Sequence, residues 1–126
     1  MRIFKTKVFA KYANKERISD STLCEAVERA EDGLIDADLG GCIIKQRICR
    51  KGQGRSSGYR VLIAVRLNKR YVFMDGFAKN EKDNISDDEL LVMKKYGSAW
   101  LNADEKIIVS ALKTDKLIEV KYEKKT

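Results

Sequence analysis

The sequence predicts an α+β fold, an antiparallel sheet of about three to five strands with helices before it and helices after it. Three observations predict it. The middle of the chain holds apolar runs of β-branched and aromatic character, Val61-Leu62-Ile63-Ala64-Val65 and Tyr71-Val72-Phe73-Met74. Capping signals on either side open segments whose apolar residues recur at helical spacing. Residues 43–82 carry eleven Lys/Arg and two acids, Asp75 and Glu81, a local charge of +9 in a chain of +7. Everything outside that stretch therefore sums to −2. A small sheet with so concentrated a positive field suits a polyanion.

The 126 residues fit one domain, 1–126: an N-terminal strand and helices over 1–42, the basic sheet over 43–82, C-terminal helices and a tail over 83–126. There is no proline, so no Pro-rich linker divides the chain. No run approaches the length of a membrane span, and the start, Met1-Arg2-Ile3-Phe4-Lys5, lacks the apolar core of a secretory signal. The expected location is cytoplasmic. Cys24, Cys42 and Cys49 have no CxxC spacing and read as reduced, partly buried thiols. Histidine is absent altogether. That excludes His-based triads, His general acid–base work and most zinc sites, so neither metal nor cofactor is expected. Any chemistry falls to Lys, Arg, Tyr, Asp or Glu.

Taken in order, residues 2–9 alternate roughly and predict a first strand, running into a short helix near 10–15. Asp20 or Ser21 can cap the next helix, with Thr22 and Glu25 as a capping box. Leu23, Val27 and Ala30 form its stripe and Gly33 ends it. Its acids, Glu25, Glu28, Glu31 and Asp32, read as a solvated outer face. Residues 34–42 read as a connector turning at Gly40-Gly41. Strand 43–49 puts Lys45, Arg47 and Cys49 on one side and Ile44, Gln46 and Ile48 on the other. Residues 50–58 are a Gly/Ser-rich basic hairpin loop. Strand 59–67 turns at Asn68-Lys69 into strand 70–77, with Arg66, Lys69 and Arg70 read as solvated. Ser86 with Glu89 opens a helix containing Gly97, where the helix either breaks or packs closely. Asn102 can cap a second helix over 103–112. Residues 117–120 are strand-like, and 121–126 should fray.

Three basic clusters stand out: Lys45/Arg47; Arg55 to Arg60, with Lys51 before it; and Phe77 to Lys82, which includes Lys79, Asn80 and Glu81. In an antiparallel meander all three can meet at one end of the sheet. Lys, Arg and Tyr without histidine suit RNA cleavage by the RNA's own 2′-hydroxyl. Arginine holds phosphate oxygens in a bidentate fork. Crowded positive charge favours the negative charge of the transition state and lowers the pKa of a member lysine or tyrosine. Glu81 is the acid in reach for a base. An exposed Tyr59 or Phe77 could stack on a nucleobase. Two blander readings remain open, phosphate binding without catalysis and a merely solvated basic surface.

Ile44-Lys45-Gln46-Arg47-Ile48, the run from Arg50 through Gly58-Tyr59-Arg60, and Gly76-Phe77-Ala78-Lys79-Asn80-Glu81 together resemble the RelE/HigB-like toxins of bacterial type II toxin–antitoxin systems. The connector, residues 33–41, is similar to the HigB-type branch, and the likeness covers about residues 3–120. The resemblance implies a RelE-like, microbial-ribonuclease-like fold. It implies metal-independent cleavage of mRNA in the ribosomal A site and inhibition by a cognate antitoxin, usually a helix-turn-helix, HigA-like protein. Arg60 then resembles the phosphate-stabilising arginine, and Lys45 and Arg47 the strand-borne basic pair. Lys79 and Lys82 stand near the later basic catalytic position, with Asn80 where some relatives have arginine. The C-terminal tyrosine of RelE itself has no match, since Ser86 falls near that place. The general acid stays open between Glu81 and a lysine. Lys51, Arg55, Tyr59, Phe77 and Asn80 complete the expected RNA contacts. Two alternatives stand beside this reading: a ParE-like relative that poisons DNA gyrase by protein contact, and an inactive nucleic-acid-binding domain.

Overall fold

Thr6 ends the first strand by starting the first helix, its side chain accepting the Phe9 N–H at 3.1 Å. The computed structural model describes residues 1–49, 58–78 and 85–122. Its elements are β1 (Arg2–Thr6), α1 (Lys7–Glu16), α2 (Asp20–Glu31), β2 (Ala37–Gly40), β3 (Ile43–Ile48), β4 (Tyr59–Arg66), β5 (Arg70–Ala78), α3 (Asp87–Asn102), α4 (Glu105–Lys113) and β6 (Leu117–Val120). Among the described residues the strands form one six-stranded sheet in the order β2-β3-β4-β5-β1-β6. Helices cover both faces. Phe9, Leu23 and Val27 from α1 and α2 pack with Ile3, Ile44, Val61, Ile63 and Phe73 on one face. Leu101 and Ile108 from α3 and α4 pack with Phe4, Ile43, Leu62, Ala64 and Val72 on the other. Burial of this apolar surface, at about 25 cal/mol per Å², is the main force holding the layers together.

The α+β class stands, but the sheet is larger than expected and mixed. β3, β4 and β5 form the antiparallel meander. β1 joins it parallel to β5, Phe4 opposite Val72, because α1 and α2 carry the chain to the far edge before it meanders back. β6 closes the other side of β1 antiparallel. The connector contains a strand, β2, with Ala37 opposite Lys45. Four residues with Asp and Gly among them hide the alternation, and edge strands are often this short.

Local signals account for most boundaries. Ser86 and Glu89 form the expected capping box, 3.2 and 3.3 Å. α2 is capped by Ser19 rather than Asp20 or Ser21, and α4 by Asp104 rather than Asn102, which ends α3. In both cases the cap is a short polar side chain whose own backbone is extended. Gly97 lies inside an unbroken helix. A Cβ there would stand 2.9 Å from Ile43 Cδ1 and 3.0 Å from the Ala64 Cβ, so the glycine lets α3 lie close on the sheet. Cys24 is half-buried, but Cys42 and Cys49 are exposed; all three are free thiols.

Arg70 is not a solvated loop charge. It donates to the carbonyls of Trp100 at 2.7 Å and Ala103 at 2.9 Å at the end of α3, where the Trp100 oxygen otherwise meets the Ala103 N–H at a long 3.4 Å. Arg70→Ala should therefore lower stability by about 2 kcal/mol, the loss of two charge-assisted bonds at partly buried carbonyls. A urea titration would show a lower midpoint at unchanged slope. An unchanged midpoint would mean that water satisfies those carbonyls as well as Arg70 does.

Candidate functional site

The two-residue alternation of β3 sends Lys45 and Arg47 to one side of the sheet. Register then assembles the rest. Arg47 lies opposite Arg60, and Lys45 opposite Leu62. On the next strand Phe77 lies opposite Arg60, and Asp75 opposite Leu62. Paired residues share a face. Lys45, Arg47 and Arg60 thus meet at the sheet end bounded by Ile48, Tyr59 and Ala78, on the face that α3 covers further along. Like charges placed opposite one another cost stability, and Arg47 offsets part of that cost through its ion pair with Asp36. Asp75, which the sequence marked only as a rare acid, shares that face and puts a carboxylate beside the trio.

The three cations differ in access. Arg47 is exposed, Lys45 half-buried, and Arg60 is only 8 % exposed. Arg60 is the deepest of the three, where lower permittivity strengthens its field. The expected stacking platforms are not there. Tyr59 is 5 % exposed and faces α1, its ring edge-on to Tyr12 with centroids 6.1 Å apart. Phe77 is 3 % exposed and packs in the core cluster of Phe4, Leu62 and Met74. Both aromatic rings are used for burial, as were Tyr71 and Phe73 on expectation. Lys51, Arg55, Lys79, Asn80, Glu81 and Lys82 lie outside the described residues.

What holds β3 in place was missed in the sequence. Gln46 points away from the basic face and is fully buried. Its Nε2 donates to the carbonyls of Ala26 and Leu34, each at 3.1 Å, and its Oε1 accepts the Asp36 N–H at 2.8 Å. One side chain thereby ties β3 to α2 and to the segment after it. Asp36 adds a second tie. Its Oδ2 accepts the Arg47 N–H at 2.7 Å, and its carboxylate lies 3.5 Å from both the Arg47 Nε and the Arg29 Nη1. Burial pushes the Asp36 carboxyl up, but the Arg47 N–H and the charges of Arg47 and Arg29 outweigh it and hold its pKa below the usual value. No local pattern marks Gln46 or Asp36; only the strand pairing brings their partners near.

The profile of the family described as "RelE toxin of RelE / RelB toxin-antitoxin system" matches residues 1–120. The chain belongs to the RelE toxin family. It is the toxin of a toxin–antitoxin system, and an antitoxin is its partner. No curated protein sequence matches it significantly. Among the described residues of this RelE-family toxin, no helix is long and apolar enough to cross a membrane.

In the toxin, Asp36 couples strand position to pH. A carboxyl with a depressed folded pKa stabilises at neutral pH, and the contribution is lost as pH falls through that lowered value. Asp36→Asn should cost about 1–2 kcal/mol at neutral pH, through weakened hydrogen bonds to Arg47 and Arg29. It should cost progressively less as pH falls below about 4, where the carboxyl of the unfolded chain takes up its proton before the folded one does. Urea midpoints across pH 2–7 test this. A cost that stays constant over the whole range would overturn the electrostatic account.

Proposed function

We propose that this toxin is an endoribonuclease that cuts mRNA in the ribosomal A site, without a metal, and thereby stops translation. The whole chain serves as one toxin domain, working in the cytoplasm and neutralised by a helix-turn-helix antitoxin of the HigA-like kind. The observation that carries this reading is the placement of Arg47 directly opposite Arg60, with Lys45 beside them, on one face at one end of the sheet.

In the proposed reaction the 2′-hydroxyl attacks the adjacent phosphorus in line. The O2′–P bond forms and the P–O5′ bond breaks, leaving a cyclic phosphate and a 5′-hydroxyl. Arg47 and Arg60 hold the non-bridging oxygens as negative charge grows on them. Lys45 adds a third positive charge. One group must take the 2′-hydroxyl proton and another must give a proton to O5′. Asp75 shares the face of the trio, and Lys79, Glu81 and Lys82 follow β5 in the chain, so these four supply the proton carriers.

The test is a purified translation reaction containing one mRNA, with the toxin added in the presence and absence of ribosomes. Cuts that need ribosomes support the reading, and Lys79→Ala beside wild type tests the later basic position. Intact mRNA together with growth arrest and relaxed DNA accumulating with gyrase would replace it with the ParE-like reading.

A further inference from the structure

A cleft of about 460 Å³ opens beside the basic trio, lined by Arg29, Gly33, Leu34, Ile35, Asp36 and Arg47. It shares only Arg47 with that trio, and its volume lies within the usual range of small-ligand sites. Its walls combine two chemistries. Leu34 is 62 % exposed and Ile35 37 %. Leu34 follows Gly33 (φ +82°) in a helix-ending turn, where Leu34 N–H reaches the Arg29 carbonyl at 2.8 Å and Gly33 N–H the Ala30 carbonyl at 3.0 Å. The residue at that position ordinarily packs back on its helix, but here it is left open. The other chemistry is acceptor oxygen. The cleft contains the Asp36 carboxylate, whose Oδ2 takes the Arg47 N–H at 2.7 Å and whose Oδ1 lies 3.5 Å from the Arg47 Nε, so Oδ1 keeps acceptor capacity for an N–H donor.

An unpaired nucleobase meets both walls, with apolar faces for Leu34 and Ile35 and an N–H edge for Asp36. Its phosphate belongs on the cationic side, where the exposed Arg47 forms the border. We infer that the cleft is a nucleotide subsite, holding one unstacked base of the RNA strand whose scissile phosphate lies on Arg47 and Arg60. The inference rests on the nuclease reading above and adds to it where the strand runs: over the β3 edge toward the end of α2. Leu34 and Ile35 then contribute to substrate choice, and no aromatic side chain is required.

The test is a titration of the isotope-labelled toxin, freed of antitoxin, with a 2′-O-methyl RNA trinucleotide that cannot be cut because its attacking hydroxyl is blocked. The methyl signals of Leu34 and Ile35 and the Nε–H signals of Arg29 and Arg47 should shift together. Leu34→Ser/Ile35→Ser should weaken binding about tenfold, the order expected for losing a base's packing surface. Both residues are exposed, so the double variant should melt as wild type does. A trinucleotide lacking the base should bind both proteins equally. Shifts confined to the signals of Lys45, Arg47 and Arg60, or equal affinity of the double variant for the complete trinucleotide, would overturn the subsite and leave the nuclease reading intact. No shift at all would also overturn it, while the nuclease reading stands or falls separately on the translation reaction.

Discussion

Arg60→Ala should reduce ribosome-dependent cleavage by about 100-fold or more, the scale set by removing a preorganised group from a developing oxyanion. The expectation follows from position. Arg60 is fixed in the central part of the sheet between β3 and β5 and is 8 % exposed, so its charge reaches the phosphate through little water. Arg60→Lys should recover only a small part of the activity. It restores the charge but not the planar fork that meets two oxygens at once. A buried arginine also fills space, so melting curves must accompany the rates. The informative variant is the lysine, which keeps most of the volume. Cleavage by Arg60→Lys within threefold of wild type would show that charge alone suffices, and normal cleavage by Arg60→Ala would remove Arg60 from the mechanism.

Gln46→Ala should be the most destabilising change that touches no basic residue. It removes three hydrogen bonds and leaves the carbonyls of Ala26 and Leu34 and the N–H of Asp36 without this partner. Each unsatisfied buried group costs about 1–3 kcal/mol, and the lost side chain adds a cavity. The expected total is about 4 kcal/mol, a large share of the roughly 5–15 kcal/mol that separates most folded domains from their unfolded chains. A thermal melt should shift down by about 10 °C or more. Gln46→Leu should recover the volume but not the hydrogen bonds, and so remain well below wild type. A leucine variant as stable as wild type would show that the site needs only filling.

Much of this was legible in the sequence. The strands β3, β4 and β5 show in their apolar runs, and the Ser86–Glu89 box marks the start of α3, because these are local effects of alternation and capping. Period two placed Lys45 and Arg47 on one face and the hairpin brought Arg60 to the same end of the sheet, while the face they share with Arg60 follows from the register of β3 on β4. Three kinds of feature were not legible. The parallel pairing of β1 with β5 depends on where two helices deliver the chain. The burial of Tyr59 and Phe77 depends on what packs over them, since an aromatic at a strand end reads alike as core or platform. The ties made by Gln46, Asp36 and Arg70 join residues 10 to 33 positions apart, which no window of the sequence displays together.

The place of β1 between β5 and β6 has a consequence for how the toxin is made. Arg2 pairs with Glu119 across 117 positions, and β1 has both its neighbours only once β6 has emerged. At about 5–20 residues per second of synthesis, roughly 6–23 s separate the appearance of those two side chains. Until then Phe4 and Val72 lack Leu117, which completes their apolar cluster. Between the end of β5 at Ala78 and the end of β6 at Val120, a ribosome making this protein therefore carries a chain that holds the basic strands but not yet the finished sheet.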